Sequence, residues 1–254
     1  MKKIYNFICG VYCRFFTFIE NIFFFKISKK KNQSSLSEKG FEVIDINYKF
    51  LPKNFEKIIN VNNHMTKEVV KDSDISLLIE SIFKDLKLKD IITSKTGFEY
   101  SIDYLISYTT RMIPQRDQEK EIYANHWHTD KPFSKNTLKI IIPLNFTNDY
   151  NGGIQILDIE QTNNFKRKYL NYEDEKHFSM ESNPDCLLLF LPNQCLHKAG
   201  NPKLNVGRKQ LMLQLNPSHK WLVNRNLYKK QFFREPKFPF FSYLFDKKHY
   251  LKDK

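Results

Sequence analysis

The stretch from Phe98 to Leu215 most constrains the fold, because short apolar runs keep alternating with turn residues along it. Tyr100, Ile102, Tyr104, Ile106 and Tyr108 stand two apart within Phe98 to Met112, the period at which strand side chains return to one face. Thr137 to Leu144, Ile154 to Leu157, Cys186 to Leu191 and Gln210 to Leu215 are further runs of strand length. Asn148-Asp149-Tyr150-Asn151-Gly152-Gly153 supplies a turn between two of them. Such spacing predicts an antiparallel sandwich or barrel. Ahead of it, Phe41 to Ile46 alternates as another strand. Ile75, Leu78, Ile79, Ile82, Phe83 and Leu86 recur at helical spacing, which predicts a helix starting near Ser73 or Asp74 that buttresses one sheet. No internal repeat is apparent.

At 254 residues, one large domain with terminal extensions is expected, and such a chain can bury a sizeable core. The formal net charge of +13 favours anionic partners. Lys and Arg are densest toward the two ends, from Lys26 to Lys31 and from Arg225 to Lys254, which hold 13 of the 41, so the centre need not be a strongly basic groove. Cys9, Cys13, Cys186 and Cys195 have neither zinc-finger spacing nor a disulfide framework, so a reducing cytoplasm is expected.

Residues 1–31 read as an aromatic-rich helix with a basic end, Lys29-Lys30-Lys31. At about 100° per residue, Asn6, Gly10, Cys13, Arg14, Thr17, Glu20 and Asn21 fall within one sector of roughly 120°, a single wet stripe beside a wide apolar face. A transmembrane span is disfavoured, since Arg14 and Glu20 would each cost about 2.5–3.5 kcal/mol near a bilayer centre. A signal peptide is disfavoured by the same charges and by the lack of a small-residue cleavage site. Two readings stay open for residues 4–25: a membrane interface or packing on protein. Residues 32–39 read as a polar linker, 40–220 as the folded domain, and 221–254 as a basic, aromatic extension.

The chemistry centres on Asn125-His126-Trp127-His128-Thr129-Asp130. On a strand His128 and Asp130 face one way and Thr129 the other. His197, after the apolar run Cys186 to Leu191, is the candidate third ligand. Two histidines and one carboxylate form the facial set that binds Fe(II) and leaves positions open for a cosubstrate and O2. Eleven residues beyond His197, Arg208 begins an alternating strand, where a guanidinium can hold the distal carboxylate of a dicarboxylate cosubstrate. Gln210 shares its face, while Gln214 is expected to be distant or structural. Lys139 from the neighbouring strand, Tyr108 and Tyr123 are further candidate cosubstrate contacts. His126 is read as a pocket or structural residue and Trp127 as core. His64, His177, His219 and His249 are read as surface or packing residues.

These residues resemble the Fe(II)/2-oxoglutarate-dependent dioxygenases, and most closely their phytanoyl-CoA dioxygenase-like branch. The resemblance rests on Trp127-His128-Thr129-Asp130, the turn ending Asn151-Gly152-Gly153, the strand before Leu196-His197-Lys198-Ala199-Gly200-Asn201-Pro202, and Gly207-Arg208-Lys209-Gln210-Leu211. It covers about residues 98–216. It implies a mainly β fold with flanking helices, a double-stranded β-helix of the jelly-roll or cupin-like kind. His128, Asp130 and His197 would hold iron and Arg208 would hold 2-oxoglutarate, with Asp185 as the acid that often precedes the apolar strand.

Two departures narrow the branch. Gln214 stands where the nucleic-acid demethylating branch carries a second arginine, which argues against nucleic acid as substrate. Arg208 stands where procollagen-type prolyl hydroxylases carry lysine. The expected activity is oxidation of a small-molecule, acyl, lipid-linked or carbohydrate-type substrate with Fe(II), 2-oxoglutarate and O2, releasing succinate and CO2. The expected location is the cytoplasm, with peripheral attachment to the cytoplasmic membrane face through residues 4–25. The alternative is a non-catalytic β-barrel at a membrane surface.

Overall fold

The computed structural model describes residues 2–26, 34–46, 50–85, 87–130, 133–168, 176–203, 207–224, 227 and 248–250. Lys29-Lys30-Lys31, Leu86 and most of the aromatic tail lie outside the described residues. The first half holds α1 (Lys2–Phe23), α2 (Ser35–Lys39), β1 (Phe41–Asp45), β2 (Lys57–Asn62), β3 (Met65–Val69), α3 (Asp72–Ile79), α4 (Leu88–Thr96) and β4 (Glu99–Thr110). The second half holds β5 (Leu138–Pro143), β6 (Ile154–Ile156), α5 (Ile159–Lys168), β7 (Phe178–Ser179), β8 (Cys186–Phe190), β9 (His197–Ala199), β10 (Arg208–Ser218), β11 (Leu222–Asn224) and β12 (Lys248–Tyr250).

The apolar runs of the sequence become the middle of a nine-stranded sheet ordered β1-β8-β5-β10-β4-β11-β12, with β3 also paired to β4 and β2 to β3. β6 is the centre of a smaller sheet, β7-β6-β9. Strands β5 and β8 are buried along their whole length, and the period of two divides their side chains between two cores. Leu138, Ile140, Ile142, Leu187, Leu189, Leu211, Leu213 and Leu215 pack against Ile75, Leu78, Ile79, Ile82 and Phe83 of the helical layer. From the other face Ile141, Leu188 and Phe190 meet Ile154 and Ile156 of the smaller sheet. Each such aliphatic side chain contributes about 1.5–3 kcal/mol on burial. The space between the two sheets is the barrel interior.

Local boundaries differ from the expected ones where side chains satisfy the backbone. The polar segment expected as a linker closes into α2: Ser34 and Ser37 form a capping box, and Gly40 ends the helix at φ 83°. The helix expected through Leu86 is α-helical only to Ile79 and continues as a wider π-turn over Glu80–Asp85, which still buries Ile82 and Phe83. The His128–Asp130 segment is extended but is no strand: His128 forms an isolated bridge with His197.

One edge of the stripe read as wet on α1 faces the domain: Glu20 is buried and Cys13 and Thr17 are half-buried, while Asn6, Gly10, Arg14 and Asn21 stay exposed. Thr17 Oγ1 accepts from the Lys135 amide at 2.9 Å, Asn136 Nδ2 donates to Glu20 Oε2 and to Asn21 Oδ1 at 3.1 Å each, and Asn193 Nδ2 donates to Cys13 Sγ at 3.2 Å. The Lys26 amide donates to Gly97 O at 2.7 Å and closes the far end of this seam. Polar groups held this way sit where the sequence pattern alone would put water. Among the described residues no helix is long and apolar enough to cross a membrane.

Glu20 gives the seam a pH dependence. Burial pushes its carboxyl up to about 7, against hydrogen bonds from Ser134 and Asn136 that lower it. A folded-state value above the unfolded one means that stability is full below about 4.5 and falls as pH rises toward 7, by roughly 3 kcal/mol. Glu20→Gln is therefore expected to unfold at a higher temperature than wild type at pH 8 and at the same temperature at pH 4.5. Parallel unfolding temperatures across that range would refute the assignment.

Candidate active site

His128, Asp130 and His197 meet at one wall of the space between the sheets. His128 and His197 exchange backbone hydrogen bonds at 3.1 and 2.9 Å, and the Asp130 amide donates to Pro192 O at 3.0 Å, so the two extended segments hold a common register. The period of two then brings both side chains of the His-x-Asp pair to the same cavity. His128 Nε2 and His197 Nε2 each lie 3.6 Å from Asp130 Oδ1, and the three candidate ligand atoms fall within 4.8 Å of one another.

The other ring nitrogens are committed. His128 Nδ1 donates to the His126 carbonyl at 2.8 Å and His197 Nδ1 to the Cys195 carbonyl at 3.0 Å, the same two-residue relation in both cases. Neutral imidazoles donating through Nδ1 turn the Nε2 lone pairs toward Asp130, the arrangement metal-binding histidines require. Burial, and then His197, lower the His128 pKa, which favours the neutral ring. Burial works to raise the Asp130 carboxyl, but the Lys139 ammonium and the two imidazoles hold it well below the usual carboxylate range. The donor set is thus one carboxylate oxygen and two imidazole nitrogens, suited to a divalent transition metal.

The cavity beside these residues measures about 310 Å3 and is lined by Tyr108, Tyr123, Lys139, Arg208 and Gln210 as well. β10 carries Arg208 and Gln210 on the barrel face, opposite Thr110 and Tyr108 of β4. Arg208 is fully buried, and its Nη1 donates to Gly152 O at 2.6 Å. Its Nε has no hydrogen-bond partner among the described residues, and no carboxylate there pairs with it. Burial lowers its pKa, opposed by Tyr108 and Tyr123. A buried guanidinium with an idle donor at a cavity wall is fitted to a carboxylate from outside the chain. Gly152 is required for this: its φ is 80°, and an added Cβ would stand 2.7 Å from Gly200 O.

The remaining sequence candidates separate by contact. Lys139 Nζ lies 2.5 Å from Asp130 Oδ2, so it pairs with the carboxylate of the candidate metal-binding group. Gln210 Nε2 donates to the Tyr108 hydroxyl. The Tyr123 ring lines the cavity while its hydroxyl donates to Arg111 O at 3.0 Å, and burial pushes its pKa up to about 12. Gln214 is fully buried with both amide atoms unpartnered among the described residues, yet it is not part of the cavity wall. His126 is exposed and serves His128 through its carbonyl. Trp127, expected as core, is half-buried under Lys198 and edge-on to His177. Asp185 is exposed, and its carbonyl accepts from the Ile46 amide at 2.6 Å.

Sequence reasoning missed Met65 and Lys67 of β3, which reach the cavity because β3 pairs with β4 beside Tyr108. It also missed Ala124, a cavity residue at φ 49°, an unusual conformation for a residue with a Cβ. Nothing in the local sequence marks these three, since only the sheet order brings them in.

No protein-family model matches the chain, and no curated protein matches it by sequence. Among solved structures it is similar to the non-heme alpha ketoglutarate dependent epimerase SnoN from nogalamycin biosynthesis, at 11% identity over 72% of this chain and 79% of that one, with a TM-score of 0.51. It is also similar to EctD from S. alaskensis with 2-oxoglutarate and 5-hydroxyectoine, at 13% identity over 76% and 80%, with a TM-score of 0.51. EctD with bound Fe gives 13% identity, 76% and 81%, and a TM-score of 0.50. At this identity the likeness shows the fold, a double-stranded β-helix of the jelly-roll or cupin-like kind with flanking helices.

Proposed function

We propose that the chain is an Fe(II)- and 2-oxoglutarate-dependent dioxygenase that hydroxylates a small-molecule, acyl, lipid-linked or carbohydrate-type substrate. The balance is one O2 and one 2-oxoglutarate consumed per substrate C–H converted to C–OH, with succinate and CO2 released. One observation carries the reading: the His128, Asp130 and His197 donors and the idle Arg208 guanidinium open on the same cavity. Both EctD structures support it, being solved with Fe and with 2-oxoglutarate. The motifs around Trp127-His128-Thr129-Asp130 and Gly207-Arg208 support the phytanoyl-CoA dioxygenase-like branch.

When bound, iron would supply the oxidising chemistry, held by His128, Asp130 and His197. The chain's own part is positioning. The carbonyls of His126 and Cys195 fix both imidazoles, Arg208 offers its fork to the far carboxylate of 2-oxoglutarate, and Gln210 and Tyr108 brace the wall beside it. Ile106, Ile141, Ile154, Phe190 and Met212 keep that wall apolar, which excludes water from the reacting atoms. Peripheral attachment to the cytoplasmic membrane face through residues 4–25 belongs to the same reading.

Anaerobic addition of Fe(II) and 2-oxoglutarate is expected to produce a visible charge-transfer band, absent in Asp130→Ala. Folded wild-type protein without the band would overturn the oxygenase reading. A second reading, a non-catalytic barrel, has one observation in its favour: Lys139 already neutralises Asp130. Binding of both components without succinate release in any substrate screen would favour it.

A further inference from the structure

The outer face of α1 is apolar for its whole length. Ile4, Phe7, Ile8, Val11, Phe15, Phe18 and Ile22 fall within an arc of about 100° at helical spacing, and they are exposed by 66, 72, 47, 52, 55, 61 and 55% respectively. Soluble surfaces carry single exposed apolar residues, and a contiguous strip of large ones marks an interface. An amphipathic helix normally shows such a strip to its own domain and its polar stripe to water. Here the strip points away from the side of α1 on which Cys9, Tyr12, Phe16 and Glu20 are buried and Cys13, Thr17, Glu20 and Asn21 are tied to Lys135, Asn136 and Asn193.

We infer that α1, while docked to the domain by its polar seam, inserts its outward apolar face into an anionic membrane leaflet. Charge selects this occupant. The one acid of α1, Glu20, is buried in the seam, so the outward arc carries no carboxylate, while Arg14 is exposed at its edge. Lys2 and Lys3 precede the arc in sequence and Lys29, Lys30 and Lys31 follow it, while Lys26 is paired with Glu99 at 2.6 Å. Basic residues bordering an apolar strip match anionic headgroups around acyl chains. The helix is too polar to span, which leaves insertion parallel to the surface.

The seam also reaches the chemistry. Lys135 and Asn136 lie in the segment that follows Asp130, and Asn193 adjoins Pro192, whose carbonyl receives the Asp130 amide. The seam therefore joins α1 to both segments that adjoin the candidate ligands. Membrane capture needs neither iron nor 2-oxoglutarate, so its failure and that of the oxygenase reading are separable.

Flotation of the full chain with vesicles of phosphatidylcholine and phosphatidylglycerol tests this. Wild type is expected to float with these vesicles and to float less with phosphatidylcholine alone. The double variant Phe7→Glu/Phe18→Glu is expected to lose at least about tenfold in partitioning with an unchanged thermal transition, since both side chains are exposed. Ile58→Glu, at a site 66% exposed on β2, is expected to float like wild type. Wild type that stays with the soluble fraction, or a double variant that still floats, would overturn the assignment. So would a wild-type dimer in sedimentation equilibrium that the double variant lacks, which would make a second copy the occupant. Asn136→Ala separates docked from detached insertion: unchanged partitioning supports the docked helix, and a rise of about tenfold means that α1 must first leave the domain.

Discussion

Asp130→Ala is expected to abolish Fe(II) binding and, separately, to destabilise the protein by about 3–5 kcal/mol. The two effects have different origins. Asp130 Oδ1 faces both histidine Nε2 atoms at 3.6 Å, whereas Oδ2 faces Lys139 Nζ at 2.5 Å. Removing the carboxylate takes away the anionic oxygen of the proposed metal site and the ion pair it makes with a buried ammonium, the costly half of a broken buried pair. Asp130→Ala/Lys139→Met should then recover most of the lost stability while remaining unable to bind iron. Denaturant unfolding of the metal-free proteins measures the first effect, and the charge-transfer band with Fe(II) and 2-oxoglutarate the second. If the double variant unfolds as easily as Asp130→Ala, the pairing of Lys139 with Asp130 is not what stabilises this wall.

Arg208→Met is expected to weaken 2-oxoglutarate binding by about 2–5 kcal/mol, roughly thirtyfold to several thousandfold, and yet to raise the unfolding temperature of the free protein. The guanidinium is fully buried with an idle Nε and no carboxylate partner among the described residues, so its desolvation is uncompensated until a ligand arrives. Methionine has similar length and no charge to bury. Adding 2-oxoglutarate with a divalent metal should stabilise wild type by roughly 2.7 kcal/mol at a hundred times Kd, and should leave the variant where it was. Arg208→Lys is expected to restore little, because a point charge replaces a planar fork. A variant whose unfolding temperature responds to 2-oxoglutarate as wild type does would show that the distal carboxylate binds elsewhere.

Much of the barrel was legible in the runs from Phe98 to Leu215, because burial on both faces of a central strand forces continuous apolar character. β4, β5, β8 and β10 lie within a few residues of where alternation places them. That His128 and Asp130 share a face was readable for a like reason, since a period of two relates them, whereas the meeting of His197 and Arg208 with them was implied only by the family resemblance. The short pieces were harder. The capping box of α2 looks like polar linker composition, and the π-turn after Ile79 keeps the same apolar spacing as an α-helix. Trp127 was misread as core because alternation names the opposite face without saying what lies there; it is the open surface beside Lys198.

By itself the amino-acid sequence determined which side chains fall on common faces, since that depends only on local backbone period. It therefore carried the strands, the donor set and the amphipathic character of residues 4–25. Only the tertiary structure decided what each face meets. It set Lys139 against Asp130, brought Met65 and Lys67 to the cavity through the β3–β4 pairing, and buried Glu20 at the edge of the polar stripe of α1. Those outcomes depend on contacts between residues far apart in the chain, such as Glu20 with Asn136, which a helical wheel does not contain.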